Sequence, residues 1–371
     1  MSCLDVTRGT NSSSDAPLHG GDVEGECRAA GVDAADVLDF SANVNALGPP
    51  QCLEAVLDEA IKLASAYPEP RSRQARAALA RAHKVTAESI LVGNGATELL
   101  YLATRVLHPE KMLVLGPSYS DFVRAGVLVG SHVDIKLAAP AQIFRHDLAE
   151  MRDVSDYHLV VVANPNDPTG TFIGTDEIMA LAAENPGVFF LVDESFVDFI
   201  EGPGASLVGI RCRNIIVVKS LTKFFGVPGL RLGMLWAHPE VVKILADRQE
   251  PWSVNAFAQK LATMLYDEQG YIATTRRVVA RERSFLTRAL TELGFRAFDS
   301  PANFLLLRIE DKKVASTGLK MALLRKKVLI RDCSNIEGLG ERYVRVAVRR
   351  HHENERLLEA VAQMRRSGEE N

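Results

Sequence analysis

Short apolar runs alternate with longer segments of helical spacing through most of the chain. Residues 112–115, 158–163 and 188–192 are such runs, and polar or glycine-containing segments separate them. Apolar runs of this length are typical of parallel strands that are buried on both faces. The alternation from about residue 50 to 292 therefore predicts an α/β protein with a doubly wound, mostly parallel sheet.

The same pattern indicates how the chain divides. Residues 50–292 form the predicted large domain and residues 293–371 a small α/β domain, which an N-terminal arm of residues 18–49 joins. Residues 1–17 are polar and rich in serine and asparagine, so we expect a disordered lead-in. Further strands are predicted at 132–137, 215–218, 231–236, 303–308, 328–331 and 342–348. Helices are predicted at 51–64, 72–83, 175–184, 238–248, 256–266, 271–293 and 353–364.

Composition excludes several classes of protein. The 371 residues are 47% hydrophobic and 24% charged, which is typical of a globular protein of two or three units. A net charge of -4 with scattered lysine and arginine argues against nucleic-acid binding. No apolar run approaches the ~18 residues of a membrane span, and no secretory signal begins the chain. Five cysteines without CxxC spacing argue against a zinc site or disulfides and predict a cytoplasmic protein.

Lys223 follows the apolar run at 215–218 and precedes a glycine- and proline-rich loop. That edge of an open α/β sheet is where ligands bind. Phe224 and Phe225 can keep water from the lysine, and a desolvated lysine loses its proton readily and forms a Schiff base with a carbonyl. Ser220 and Arg231 offer a hydroxyl and a cation for a phosphate. Taken alone, a lysine at this position heavily favours the interpretation as a surface residue after a strand.

Two other boundaries carry candidate chemistry. Gly95, Ala96 and Thr97 begin a predicted helix after a strand, and the N–H groups of a helix start bind anions. Asp193 ends the apolar run at 188–192, where an unpaired carboxylate is costly. Neither a Walker motif nor GxGxxG occurs, so a nucleotide is not indicated.

The stretch Ser220-Leu-Thr-Lys-Phe-Phe-Gly-Val-Pro-Gly-Leu-Arg-Leu-Gly233 resembles the cofactor-lysine motif of fold-type I enzymes that use pyridoxal phosphate (PLP), the aspartate aminotransferase superfamily. The resemblance implies that Lys223 carries the cofactor and that Asp193 pairs with its pyridinium nitrogen. It also implies further cofactor residues, which are Gly95, Ala96, Thr97, Tyr119, Phe196, Ser220 and Arg231.

One cofactor position departs from the family pattern. The family usually has asparagine directly before Pro-Thr-Gly, where it donates to the phenolic oxygen of the cofactor, but here that residue is Asp167. An ionised carboxylate cannot donate a hydrogen bond and repels a phenolate. Either Asn166 takes the role, or Asp167 is protonated or turned away.

Two N-terminal motifs indicate which branch of this superfamily the chain resembles. They are Leu18-His-Gly-Gly-Asp22 and Asp39-Phe-Ser-Ala-Asn-Val-Asn-Ala-Leu-Gly-Pro-Pro50. With the segments at 221–224, 251–256 and 329–333 they resemble the L-threonine O-3-phosphate decarboxylases, which are close to the histidinol-phosphate aminotransferases. The chain differs from the pattern of these decarboxylases at Asp22 and Ala46, where asparagine and proline are expected. It implies loss of CO2 from a phosphorylated small amino acid, and substrate residues at His19, Gly20, Asn43, Asn303, Arg331 and Arg345. It also implies a homodimer with shared sites, in which Tyr67 reaches the cofactor phosphate of the partner subunit.

Alternatives remain open at this point. An aminotransferase of the histidinol-phosphate type, an L-serine O-phosphate decarboxylase, and a catalytically silent protein of the same fold share most of these residues. Threonine phosphate and serine phosphate differ by one methyl group, which a pocket discriminates by only ~1–3 kcal/mol. Arg331 and Arg345 suit phosphate or carboxylate equally, and each alone could form a structural salt bridge.

Overall fold

The computed structural model describes residues 19–202 and 204–367, so the lead-in expected at 1–17 lies outside the described residues. The strands are β1 Leu38–Asp39, β2 Ile90–Asn94, β3 Lys111–Gly116, β4 His132–Leu137, β5 Leu159–Ala163, β6 Phe189–Asp193, β7 Ile215–Ser220, β8 Leu232–Trp236, β9 Phe295–Ala297, β10 Phe304–Ile309, β11 Val328–Leu329, β12 Arg331–Asp332 and β13 Tyr343–Ala347.

The α-helices are α1 Val23–Ala30, α2 Cys52–Asp58, α3 Ala60–Ala64, α4 Arg73–His83, α5 Ala96–Leu107, α6 Asp121–Leu128, α7 Thr175–Glu184, α8 Leu221–Phe224, α9 Pro239–Ala246, α10 Ala256–Ala262, α11 Gln269–Glu292, α12 Ser316–Arg325 and α13 His351–Ser367. Short 3-10 turns occur at Ala87–Ser89, Pro140–Gln142, Leu148–Met151, Val197–Phe199, Pro228–Leu230 and Leu265–Asp267. Among the described residues, no helix is both long and apolar enough to span a membrane.

A seven-stranded sheet with the order β2-β8-β7-β6-β5-β3-β4 forms the centre of the molecule. Strands β7, β6, β5, β3 and β4 are parallel, and β8 runs antiparallel to both of its neighbours. The prediction of a mostly parallel sheet is confirmed. Alternate residues of β5 pack into apolar clusters on opposite faces, with Val160 and Val162 on one side and Leu159 and Val161 on the other. Burial on both faces explains why the strands are continuous apolar runs.

The C-terminal part contains a four-stranded antiparallel sheet with the order β12-β13-β10-β9. The arm reaches this part because β1 pairs in parallel with β11, and the N–H of Phe40 donates to the carbonyl of Leu329 at 2.7 Å. The single strand predicted at 328–331 is wrong. Val328–Leu329 pairs with the arm, whereas Arg331–Asp332 pairs with β13, so the segment belongs to two sheets.

Two other local differences concern helices. The helix predicted over 51–64 is divided at Glu59, which follows α2 and precedes α3. Helix α1 was not predicted from the sequence. Its start is fixed by Asp22, whose carboxylate accepts from the N–H of Gly25 at 2.9 Å, and its end by Gly31 in the left-handed region at φ 63°.

Candidate active site

The strands β5, β6 and β7 end side by side, because Ala163 lies opposite Asp193 and Asp193 opposite Val218. Two adjoining cavities open at this edge. They share the lining residues Thr97, Tyr119, Asp167, Lys223 and Arg231. The inner cavity extends to Asp193 and Ser220, and the outer one, of about 230 Å³, extends to the arm and the C-terminal sheet.

Lys223 lies in the single turn of α8, directly after β7, where the sequence predicted a loop. The arm holds this turn, because the N–H of Asn45 donates to the carbonyl of Lys223 at 2.9 Å and the Asn45 side chain donates to the carbonyl of Phe224 at 2.9 Å. Burial lowers the pKa of the Lys223 ammonium, while the nearby Asp167 carboxylate opposes this effect. A lysine that gives up its proton readily is a nucleophile for a carbonyl carbon.

The start of α5 forms a tight backbone cradle. Gly95 has φ 86° and ψ 163°, a region open to glycine, and a Cβ there would lie 2.5 Å from Nη2 of Arg231. A Cβ on Gly233 would lie 2.5 Å from the nitrogen of Ala96. The N–H groups of the first turn of α5, the guanidinium of Arg231 and the hydroxyl of Ser220 thus surround a space suited to a phosphate.

Asp193 stands at the floor of the inner cavity. Burial raises its pKa to about 6, although the N–H and hydroxyl of Ser195 donate to one carboxylate oxygen at 2.9 and 2.5 Å. The second oxygen is the one that can meet a ligand. Phe196, the other residue implied here by the family pattern, lines the same cavity.

A cluster of polar side chains around Asp121 joins the arm to helices α5 and α6. The hydroxyls of Tyr119 and Tyr101 donate to the Asp121 carboxylate at 2.8 and 3.0 Å, and His19 Nε2 lies 3.3 Å from it. Burial alone would raise the pKa of Asp121, but these three partners outweigh it and leave the pKa below its usual value. The ring of His19 contacts that of Tyr119, with centroids 4.9 Å apart. Sequence reasoning missed Asp121, since an acidic residue in a first helical turn is ordinary.

Arm residues reach the outer cavity through close backbone contact. A Cβ on Gly20 would lie 2.1 Å from the carbonyl oxygen of Ser41, which explains a glycine after His19. Asp39 fixes the turn, because its carboxylate accepts from the N–H and hydroxyl of Ser41 at 2.7 and 2.6 Å. Arg345 in β13 donates to the Ser41 carbonyl at 2.5 Å and so ties the C-terminal sheet to the same turn.

Asp167, rather than Asn166, faces the cavities. The Asp167 carboxylate accepts from Nη1 of Arg345 and, at 3.3 Å, from the side-chain amide of Asn43. The Asn166 amide is directed elsewhere, since it donates to the carbonyl of Pro117 and to the hydroxyl of Thr169, both at 2.7 Å.

The second pocket arginine, Arg331, is also buried and lines the outer cavity, where it donates to the side-chain oxygen of Asn335 at 3.0 Å. His19, Gly20, Asn43, Arg331 and Arg345 therefore come together around one cavity.

Two other residues of the expected set lie elsewhere in this chain. The side chain of Asn303 is fully buried, and neither of its polar atoms has a hydrogen-bond partner within the described structure. Tyr67 is 85% exposed, and its ring lies 5.2 Å from that of Trp252. Within 19–202 and 204–367, no group of histidine, cysteine, aspartate and glutamate has a geometry that could hold a metal ion.

Comparison with known proteins places this site in a family. The family description "Aminotransferase class I and II" matches residues 35–362. The chain is 32% identical over 92% of its length to threonine-phosphate decarboxylase of Salmonella typhimurium, covering 95% of that protein. It is 30% identical over 90% of its length to histidinol-phosphate aminotransferase 2 of Ralstonia nicotianae, covering 90% of that protein.

A third relative is longer than this chain. The adenosylcobalamin biosynthesis bifunctional protein of Leptospira interrogans is 31% identical over 93% of the chain, but the chain spans only 41% of that protein.

Solved structures show the same fold. L-threonine-O-3-phosphate decarboxylase from Porphyromonas gingivalis has a TM-score of 0.79 at 29% identity, over 88% of this chain and 99% of that one. Histidinol-phosphate aminotransferase from Clostridium acetobutylicum has a TM-score of 0.83 at 28% identity, over 89% of this chain and 100% of that one.

A more distant neighbour holds a cofactor. Histidinol-phosphate aminotransferase from Sinorhizobium meliloti, in complex with pyridoxal-5'-phosphate, has a TM-score of 0.83 at 19% identity, over 96% of this chain and 98% of that one. The family match extends over most of the chain, and the chain covers 95% of the Salmonella relative and 90% of the Ralstonia relative, at 32% and 30% identity. The chain belongs to the aminotransferase class I and II family.

Proposed function

We propose that this protein is a PLP-dependent decarboxylase that converts L-threonine O-3-phosphate and a proton into (R)-1-amino-2-propanol O-2-phosphate and CO2, a step in making the nucleotide loop of cobalamin. One structural observation carries the proposal. A cavity of about 230 Å³ adjoins Lys223 and gathers His19, Arg331 and Arg345, which suits a small substrate with two anionic groups. The relatives named for threonine-phosphate decarboxylation and cobalamin synthesis support the same substrate.

Pyridoxal phosphate is the cofactor, and the residues of the inner cavity fit it. The cradle at Gly95 would hold the phosphate with Ser220 and Arg231, and Lys223 would hold the carbonyl carbon. The Asp193 carboxyl, with one oxygen turned away from Ser195, would pair with the ring nitrogen. When bound, the cofactor supplies an electron sink for the bond that breaks at Cα of the substrate.

The protein groups divide the remaining work. Asp193 would keep a proton on the ring nitrogen of the cofactor, because a buried carboxylate is stabilised by a cationic partner. The Lys223 amine would be placed to return a proton to Cα of the substrate after CO2 has left. The side chains of His19 and Arg331 would bind the phosphate, and the apolar rings of Tyr119 and Phe196 would exclude water from the inner cavity.

Recognition of the phosphate is tested with matched substrates. A phosphate is nearly dianionic at neutral pH and makes stronger charge-assisted hydrogen bonds than a hydroxyl does. We expect kcat/KM for threonine to fall by at least about a hundredfold relative to threonine phosphate, since two to three such bonds contribute about 1.5–3 kcal/mol each. Serine phosphate, which lacks only a methyl group, should lose far less. Equal turnover of threonine and its phosphate would refute the proposal.

The proposed functional unit is a cytoplasmic homodimer with shared sites. Tyr67 lies on a proline-flanked extended segment, and neither cavity of its own chain includes it. The ring of Trp252, which is 50% exposed, contacts that of Tyr67 and gives this surface an apolar character that suits a partner. The four cysteines within the described residues are free, which supports a reducing compartment.

Mixing inactive variants tests whether sites are shared. Lys223→Ala and Tyr67→Phe proteins, each alone of low activity, are unfolded together and refolded. Shared sites predict recovery of part of the activity, because mixed dimers then contain one intact site. Each variant refolded with itself is the control. A fully active monomer at low concentration would contradict the dimer.

A further inference from the structure

The ion pair between Asp167 and Arg345 sets what the outer cavity can bind. We propose that Asp167 compensates the charge of Arg345, so that this arginine holds a carboxylate weakly and the site disfavours dicarboxylate amino acceptors such as 2-oxoglutarate. Asp167 is thus a specificity-determining residue that favours loss of CO2 over transfer of the amino group. This inference rests on the proposed function.

The positive charge of Arg345 is already paired with the carboxylate of Asp167. The side chains of Arg345 and Asp167 are 9% and 18% exposed, and Nη1 of Arg345 donates directly to the carboxylate. Asn43 donates to the second carboxylate oxygen at 3.3 Å, so both oxygens have a donor. Nη2 of Arg345 donates to the carbonyl of Ser41. The guanidinium therefore faces the cavity with an anion beside it.

The two arginines of the outer cavity are neighbours, because Arg331 lies opposite Arg345 in the register of β12 and β13. Arg331 donates to the side-chain oxygen of Asn335, and Arg345 is paired directly with Asp167. A carboxylate at Arg345 must approach Asp167, and like charges a few ångströms apart repel strongly in a partly buried site.

Weak binding of the carboxylate at Arg345 affects decarboxylation and amino transfer differently. Decarboxylation removes the negative charge beside Asp167, so repulsion present in the bound substrate is relieved as CO2 leaves. Amino transfer keeps the α-carboxylate throughout and needs a second substrate, usually a dicarboxylic keto acid. Such an acceptor has to place one carboxylate at Arg345, and Asp167 opposes it.

Binding of maleate, a dicarboxylate with no amino or keto group, tests the inference without turnover. The PLP-loaded protein is titrated calorimetrically with maleate, as wild type and as Asp167→Asn. We expect the variant to bind at least about tenfold more tightly, equivalent to 1.4 kcal/mol. Asp153→Asn removes an exposed carboxylate elsewhere, one that accepts from Ser155, and should leave the affinity unchanged. Unchanged affinity in Asp167→Asn would overturn the inference.

Two additions make the result decisive. In Asp167→Asn combined with Arg345→Ala the gain should disappear, and a gain that persists would show that Arg345 is not involved. Asp167→Ala removes the same charge and serves as a second variant if Asp167→Asn does not fold. It should also bind maleate more tightly than wild type does. With threonine phosphate, Asp167→Asn should lower KM and also lower kcat. If threonine phosphate is not a substrate, the maleate result still decides the role of Asp167, so the two failures are distinguishable.

Discussion

Replacing Gly95 with alanine tests the backbone cradle that should hold the cofactor phosphate. At φ 86° and ψ 163° an alanine is strained, which costs about 1–3 kcal/mol of the free energy of unfolding. The new Cβ would also lie 2.5 Å from Nη2 of Arg231, so the guanidinium must move out of the cradle. Loss of one charge-assisted hydrogen bond to phosphate, about 1.5–3 kcal/mol, predicts PLP affinity at least about tenfold weaker.

Gly130 offers a matched control for the strain. It has φ 81°, and a Cβ there would meet no atom within 4 Å. Urea unfolding should show a loss of stability in both apo variants, because both alanines are placed at positive φ. Titration of the apo proteins with PLP, followed by absorbance, should show weak binding in Gly95→Ala alone. If Gly95→Ala binds PLP as tightly as Gly130→Ala does, the phosphate is not held at the start of α5.

Three further predictions address the lysine, the arm and a buried histidine. Lys223→Ala should give no borohydride-reducible cofactor adduct by mass spectrometry, and an adduct on another lysine would contradict the assignment. Asp121→Asn should raise KM for threonine phosphate about tenfold with a smaller change in kcat, because His19 loses its anionic partner 3.3 Å away; an unchanged KM would count against it. Burial, aided by the charge of Lys219, lowers the pKa of His83 to about 3. In the unfolded chain the pKa of this histidine is about 6.5, so the stability that neutral His83 contributes is lost as pH falls from 6.5 toward 3. His83→Phe should therefore lose less stability than wild type between pH 8 and 5 in urea unfolding, and parallel losses would contradict this.

Most residues of the inner cavity could be predicted from the sequence. Asp193 and Lys223 each follow an apolar run, and in a parallel sheet such positions meet at one edge. The glycine turn before Thr97 likewise has a local signature, since a strand, a glycine and a helix start occur in succession. Patterns of this kind are local, so a single sequence reveals them.

Other features depend on partners far away in the chain, which no local pattern shows. The segment at 328–331 has the composition of one strand, but pairing with the arm and with β13 divides it between two sheets. The position of Asp167 was undecided because its partner, Arg345, comes 178 residues later. Asp121 was missed for the same reason, since His19 reaches it from the arm.

The type of reaction is the central claim, and one measurement tests it directly. Purified protein loaded with PLP is incubated with threonine phosphate labelled in the carboxyl carbon, with and without 2-oxoglutarate. The account predicts release of labelled CO2 at the same rate in both cases, together with stoichiometric 1-amino-2-propanol O-2-phosphate. Formation of a keto acid that requires 2-oxoglutarate, with the label retained in it, would contradict the account and identify an aminotransferase.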